Sequence, residues 1–279
     1  MPASEDDPRF VALERMEWAA GQAEQALDLV AREEPLELRV GGVAIAVVMR
    51  TPGHDEELAR GFLLGERIVA RSEQIVSIRH CTTVDAAEAE DNILLIRLAD
   101  EVELDLASLR RNLYTTSSCG VCGKASIAAA LAPSRGLHVG PGLRVAASIV
   151  LGLPAGLRAD QQVFDRTGGL HAAGLFDREG RALVVREDVG RHNAVDKAIG
   201  WAAEQGLDFA ALILFVSGRV SFELTQKTAA LGIPIIAAVS APSSLAIELA
   251  KAAGITLVGF VRGERLCVYA GAERIDSAC

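Results

Sequence analysis

The sequence predicts an α/β protein in two lobes, an N-terminal α+β lobe followed by a C-terminal α/β lobe. Two observations carry this expectation. Residues 170–260 alternate short apolar runs with helical stretches stopped by glycine, the pattern of βαβ units. Residues 36–98 hold several strand-like runs around a single helix start. With 279 residues, half of them hydrophobic, the chain can build one large core or two smaller ones. The expected division is a polar tail over residues 1–24, an N-terminal lobe over 25–145 and a C-terminal lobe over 146–279.

The elements follow in order. Residues 10–18 show a weak helical pattern within the charged tail. Residues 36–40 alternate, Gly41-Gly42 turns the chain, and residues 44–49 are rich in β-formers, which together predict a hairpin. Thr51-Pro52 opens a helix as cap and first helical residue, and Asp55, Glu56 and Glu57 favour the positive end of its dipole. Leu58 and Phe62 lie one turn apart and face the core. Residues 75–78 and 93–98 are strands joined by an acidic loop over 85–91. A second hairpin spans residues 170–176 and 182–186. Helices over 193–204, 222–231 and 243–253 then alternate with strands over 212–216, 235–239 and 256–260. Gly232-Ile233-Pro234 stops the second helix and Gly254 closes the third. Such alternation predicts a mostly parallel sheet with function at the carboxyl ends of its strands.

Composition excludes some classes of function. A net charge of −9 and a pI near 5.2 argue against a nucleic-acid binder. The longest apolar runs are strand-sized, so no membrane span is expected. The acidic start Met1-Pro2-Ala3-Ser4-Glu5-Asp6-Asp7 lacks the order of a signal peptide, which predicts a cytoplasmic protein. Five cysteines, only two of them close together, do not make a disulfide framework.

That close pair is the most specific local feature. In Ser118-Cys119-Gly120-Val121-Cys122-Gly123-Lys124 two thiols share one side of a turn, beside a lysine and ahead of a helix-forming stretch. A nearby cation and a helix N-terminus both raise the thiolate fraction. The glycines leave the backbone free to swing between two partners. Three readings stay open on spacing alone. The pair is structural, or it binds zinc with ligands recruited from Cys81, Cys267, Cys279 or His80, or it is reactive, whether redox-active or sulfur-carrying.

Longer blocks resemble the FdhD family of formate dehydrogenase maturation factors. They are Thr51-Pro52 with Glu56-Glu57-Leu58 and Gly61-Phe62-Leu63, then residues 115–124, Thr167-Gly168-Gly169-Leu170-His171-Ala172-Ala173, and residues 186–197. Ser217-Gly218-Arg219-Val220-Ser221-Phe222-Glu223-Leu224, Ser240-Ala241-Pro242-Ser243-Ser244-Leu245-Ala246 and residues 257–263 complete the series, in family order from about 33 to 275. One departure is Arg67 after Gly65-Glu66, where the family places a glycine; it bears on a helix end rather than on chemistry. The C-terminal half also resembles the cytidine-deaminase fold, with His192-Asn193-Ala194 and Pro242-Ser243-Ser244 at the helix starts. The catalytic Glu and both zinc cysteines of that fold are missing, so fold without reaction is expected and no intrinsic metal.

The resemblance implies a sulfurtransferase. A cysteine desulfurase would load Cys119 with a persulfide, with Cys122 as second thiol. That sulfur would pass to the molybdenum bis(molybdopterin guanine dinucleotide) cofactor, bound as substrate, for the formate dehydrogenase catalytic subunit. The family's cofactor-binding segment falls on Phe260, Val261, Arg262, Gly263, Glu264 and Arg265. A homodimer is also implied. From the residues themselves, His192 reads as a ligand donor or a helix-start histidine bonded to backbone, His171 as a satisfied buried histidine, and Glu187 and Asp188 as holders of Arg191. Two other functions use the same features: a thiol–disulfide oxidoreductase, and a cofactor chaperone in which the thiols are dispensable.

Overall fold

The computed structural model describes residues 7–82, 91–102, 136–140 and 142–277. The chain enters through β1 (Phe10–Ala19) and β2 (Gln22–Ala31), antiparallel strands turned by Ala20 (φ 50°) and Gly21 (φ 81°). Two successive positive φ values are the signature of a hairpin turn that matches strand twist. This corrects the tail with a weak helical pattern. Residues 12, 14, 16 and 18 share one face with Leu27 and Leu29, so the spacing is that of a strand. Only the base of the hairpin is packed, where Phe10 meets Val163 and Leu170.

Strands β3 (Glu34–Val40), β4 (Val43–Arg50), β5 (Ile75–His80) and β6 (Ile93–Leu98) form a sheet in the order β4-β3-β6-β5. Helix α1 (Asp55–Gly65) lies on it, and Leu58, Phe62 and Leu63 pack against Leu36, Leu38 and Leu94. The helix starts later than expected because Thr51 is committed elsewhere. Its N–H donates to Asp188 Oδ2 at 3.1 Å, its hydroxyl accepts from Val189 N, and its carbonyl accepts from Lys197 Nζ at 2.7 Å. At the other end Arg67 has φ 58°, with Arg67 N bonded to Leu64 O and Ile68 N to Leu63 O. This is a Schellman cap, whose left-handed position suits glycine best.

The second sheet has the order β13-β12-β11-β10-β8-β9. It follows β7 (Val145–Ala146), α2 (Ala147–Ala159) and α3 (Gln162–Thr167). Its remaining elements in chain order are β8 (His171–Phe176), β9 (Ala182–Asp188), α4 (Arg191–Glu204), β10 (Ile213–Val216) and α5 (Phe222–Ala230). Then come β11 (Ile235–Ala238), α6 (Ser244–Ala253), β12 (Thr256–Arg262) and β13 (Arg265–Ala270). A short strand β14 (Ile275–Asp276) pairs with β7, so the boundary expected at residue 145 falls inside a strand. Pairing is parallel only from β10 through β11 to β12; β8 pairs antiparallel with both β10 and β9, and β13 pairs antiparallel with β12. The expectation of a mostly parallel sheet is corrected to a mixed one, because short turns before β9 and β13 can only make hairpins.

Alternation sorts the core. Leu214 and Val216 face α4, α5 and α6, while Ile213 and Phe215 face α2. Helix α4 is buried on every side, because α1 covers the flank that the sheet leaves open. Glycines permit the crossing: a methyl on Gly61 would lie 1.8 Å from Asp196 O, and one on Gly200 1.8 Å from Glu57 O. Charges that α4 carries inward are paired, Lys197 with Asp188 at 2.7 Å and Asp196 with Lys227 at 2.8 Å. A buried ion pair is retained only when the partner and further hydrogen bonds are in place. The two sheets are therefore joined through α1 and α4 rather than by a linker alone. Among the described residues no helix is long and apolar enough to cross a membrane.

Candidate functional site

Three helices begin at one edge of the six-stranded sheet, above the carboxyl ends of β10, β11 and β12. The β10–α5 loop is Ser217-Gly218-Arg219-Val220-Ser221. Ser217 fixes it to β8 by a reciprocal pair: its N–H donates to Ala172 O and its hydroxyl accepts from Ala172 N, both at 2.9 Å. Val220 then bonds the β11–α6 loop at Ala241 and Ser243, so α5 and α6 start side by side. Ser243 caps α6 by accepting from Ala246 N, whereas neither Gly190 before α4 nor Ser221 before α5 supplies a side-chain cap. Uncapped first turns present N–H donors and positive dipole ends to the same edge.

The side chains at this edge are mainly basic. His192, on the first turn of α4, lies 3.0 Å from Glu223 Oε2 and 3.3 Å from Ser221 Oγ. It is thus held by side chains of α5, not by backbone. His171 opens β8 and is half-buried beside Gly218. Burial, then the positive charges of Arg191, His192 and Arg219, hold its pKa below the usual imidazole range, with Asp188 opposing weakly. It is not the satisfied core histidine expected.

Asp188 and Glu187 do not hold Arg191 either. Asp188 accepts from Gly190 N and Asn193 Nδ2 and pairs with Lys197, while Glu187 accepts from Val163 N and Phe164 N at the start of α3. Desolvation raises the pKa of Glu187 even so.

The segment expected to bind a cofactor forms the end of β12 and its turn into β13. Phe260 sits in a left-handed conformation (φ 52°) at a bulge where pairing slips between Gly259 and Arg262, and its N–H donates to Ser240 O. A strained non-glycine residue held in place by its surroundings is a mark of functional sites. Val261 is fully buried in the core and its side chain does not reach the edge. Arg262 Nε donates to Val239 O at 2.9 Å, Gly263 (φ 55°) turns the chain, and Glu264 and Arg265 are exposed. Cys267 pairs opposite Gly259. Cys119 and Cys122 lie outside the described residues.

Contacts between distant elements were invisible to sequence reasoning: Glu223 with His192, and Arg186 with Glu57. Residues 186–197 and 217–224 stood out as blocks, but nothing in either signalled its partner.

Comparison with known proteins shows the family. The family model described as FdhD/NarQ family matches residues 31–276. Sulfur carrier protein FdhD of Mycolicibacterium paratuberculosis is 54% identical over 258 residues, covering 92% of this chain and 95% of its own. The protein of the same name from Mycobacterium tuberculosis is 52% identical, covering 89% and 92%. A crystal structure from Desulfotalea psychrophila, described as a formate dehydrogenase accessory protein, superposes with a TM-score of 0.79 at 25% identity. That match covers 96% of this chain and 100% of the other. A family match over nearly the whole length, relatives above half identity and a shared fold all point one way: the chain belongs to the FdhD/NarQ family.

Proposed function

We propose that the protein is a sulfur carrier for formate dehydrogenase maturation, working in the cytoplasm as a homodimer. The observation that carries this reading is identity above 50% to curated sulfur carrier proteins across nine-tenths of the chain, together with the Cys119-Gly120-Val121-Cys122 motif. In the proposed cycle the Cys119 thiolate attacks the outer sulfur of a persulfide on a cysteine desulfurase. The desulfurase thiolate leaves and Cys119 holds the sulfane sulfur as its own persulfide. Attack of the Cys122 thiolate on the inner sulfur of that persulfide breaks the S–S bond, releases sulfide and leaves a Cys119–Cys122 disulfide. The sulfide goes to molybdenum bis(molybdopterin guanine dinucleotide), the bound substrate, ahead of the cofactor's use by the formate dehydrogenase catalytic subunit.

The sheet edge suits such a substrate. Phosphates and guanines call for backbone donors, guanidinium groups and close backbone approach, and the turn from Phe260 to Arg265 offers all three. The same reading takes the C-terminal half as a cytidine-deaminase-like lobe without zinc ligands, with residues 25–145 as the other lobe.

The test is intact mass spectrometry after incubation with a cysteine desulfurase and cysteine. Wild type should gain about one sulfur atom and Cys119→Ala none, as thiolate chemistry requires. No gain on wild type beside an active desulfurase would overturn the carrier reading in favour of an oxidoreductase or a thiol-independent chaperone.

A further inference from the structure

Arginines at the junction of the two sheets are matched to acids, Arg50 to Asp55 and Arg186 to Glu57. Arg191 and Arg219 are not. Neither side chain has a hydrogen bond or ion pair among the described residues, and Arg191 Nε is buried without an acceptor. A buried donor left unpaired is costly, the more so when it is charged. The acids nearby are already engaged, Asp188 by Lys197 and Glu223 by His192. Gly218 leaves room between these groups: a methyl there would stand 3.4 Å from His171 Nδ1 and 3.9 Å from Arg191 Cδ. The charges around Gly218 are mainly positive, and the first turn of α4 beside them has no side-chain cap.

We propose that the space bounded by His171, Arg191, Gly218 and Arg219 is a seat for a phosphate or diphosphate group, separate from the turn at residues 260–265. It deepens the proposed function, whose substrate carries diphosphates, and rests on that reading for its physiological ligand only. The groups facing His171 are Arg191 and His192 from α4, Arg219 from the β10–α5 loop and Asp188 from β9. An anion in the seat offsets the guanidinium charges of Arg191 and Arg219, which add to burial in lowering the His171 pKa, so binding raises that pKa.

The experiment is titration calorimetry of the full chain with inorganic diphosphate near neutral pH, in two buffers of different ionisation heat. Arg191→Gln and Arg219→Gln should each weaken binding by roughly tenfold or more, the effect of losing a charge-assisted hydrogen bond. Gly218→Ala keeps every charge and adds one methyl at ordinary contact distance, yet should weaken binding comparably. His171→Gln should lower the proton uptake measured with wild type under the same conditions. Arg178→Gln, at the far end of the sheet, should change nothing. GDP in place of diphosphate separates the two readings. If diphosphate fails to bind, or binds wild type, Arg191→Gln and Gly218→Ala alike, the seat is refuted even where GDP binding depends on Arg262 and Arg265. If diphosphate binds as expected while GDP binds no more tightly, the seat stands and the guanine-dinucleotide reading falls.

Discussion

Replacing Glu57 with glutamine removes one charge from the junction between α1 and β9 and leaves the side chain's shape unchanged. Glu57 accepts two parallel hydrogen bonds from Arg186, at 2.6 Å from Nε and 2.8 Å from Nη2, and His54 Nδ1 lies 3.4 Å away. Burial by itself would raise the carboxyl pKa; the Arg186 and His54 contacts outweigh it and bring the value from 4.5 down to about 2. The difference, 4.5 minus about 2, is roughly 2.5 units, and at 1.36 kcal/mol per unit it amounts to about 3 kcal/mol. The pair is only partly buried, so solvent screening lowers this figure, to about 2 kcal/mol.

The sign follows from linkage. A depressed carboxyl pKa stabilises the fold above the unfolded value of 4.5 and loses that effect as pH falls towards about 2. Urea unfolding of wild type and Glu57→Gln should therefore differ by about 2 kcal/mol at pH 7 and by less than half of that near pH 3. A deficit that stays constant with pH would refute the ion-pair account and assign the loss to packing. A deficit under about 0.5 kcal/mol at pH 7 would place the pair with ordinary surface bridges.

Two further substitutions test the helix geometry. Arg67→Gly relieves a left-handed non-glycine residue at the Schellman cap of α1 and should stabilise the protein by about 0.5–1 kcal/mol, read as a higher Tm; a lower Tm would contradict the cap. Gly200→Ala drives a methyl into Glu57 O and should cost roughly 3 kcal/mol or more, or prevent folding, because both clashing atoms belong to buried helices. Recovery of stable protein with a loss under about 1 kcal/mol would show that α1 and α4 separate easily.

Much of the fold was legible because its cues are local. The Gly41-Gly42 hairpin, the helix between Ser243 and Gly254, and the strands at 213–216 and 235–238 follow from periodicity and punctuation that need no partner. The failures have a common cause in tertiary contacts. Thr51 carries every mark of a helix cap, yet each of its polar groups is taken by Asp188, Val189 or Lys197, more than 130 positions away. Residues 10–18 satisfy a helical period loosely and a strand period equally; pairing with residues 23–31 decides between them. For residues 260–265 the sequence showed a segment just past a strand but not the inward turn of Val261 or the strain at Phe260, which arise from the bulge against β13.

These distant contacts bear on the edge where the basic side chains gather. Arg191 and His192 reach it from the first turn of α4, so their position is that of the helix itself. Nothing in α4 sets that position alone. Asp188, bonded to Gly190 N and Asn193 Nδ2, fixes the helix start, and the same carboxylate is tied to Thr51 and Lys197. The flank of the helix is set by contact of Gly61 and Gly200 with facing backbone, which leaves no slack for sliding. Position of the site therefore depends on the N-terminal half of the chain, although that half supplies none of the basic groups of the proposed seat. A substitution such as Gly61→Ala, made far from any ligand, should thus displace Arg191 and weaken diphosphate binding beyond what the lost stability explains.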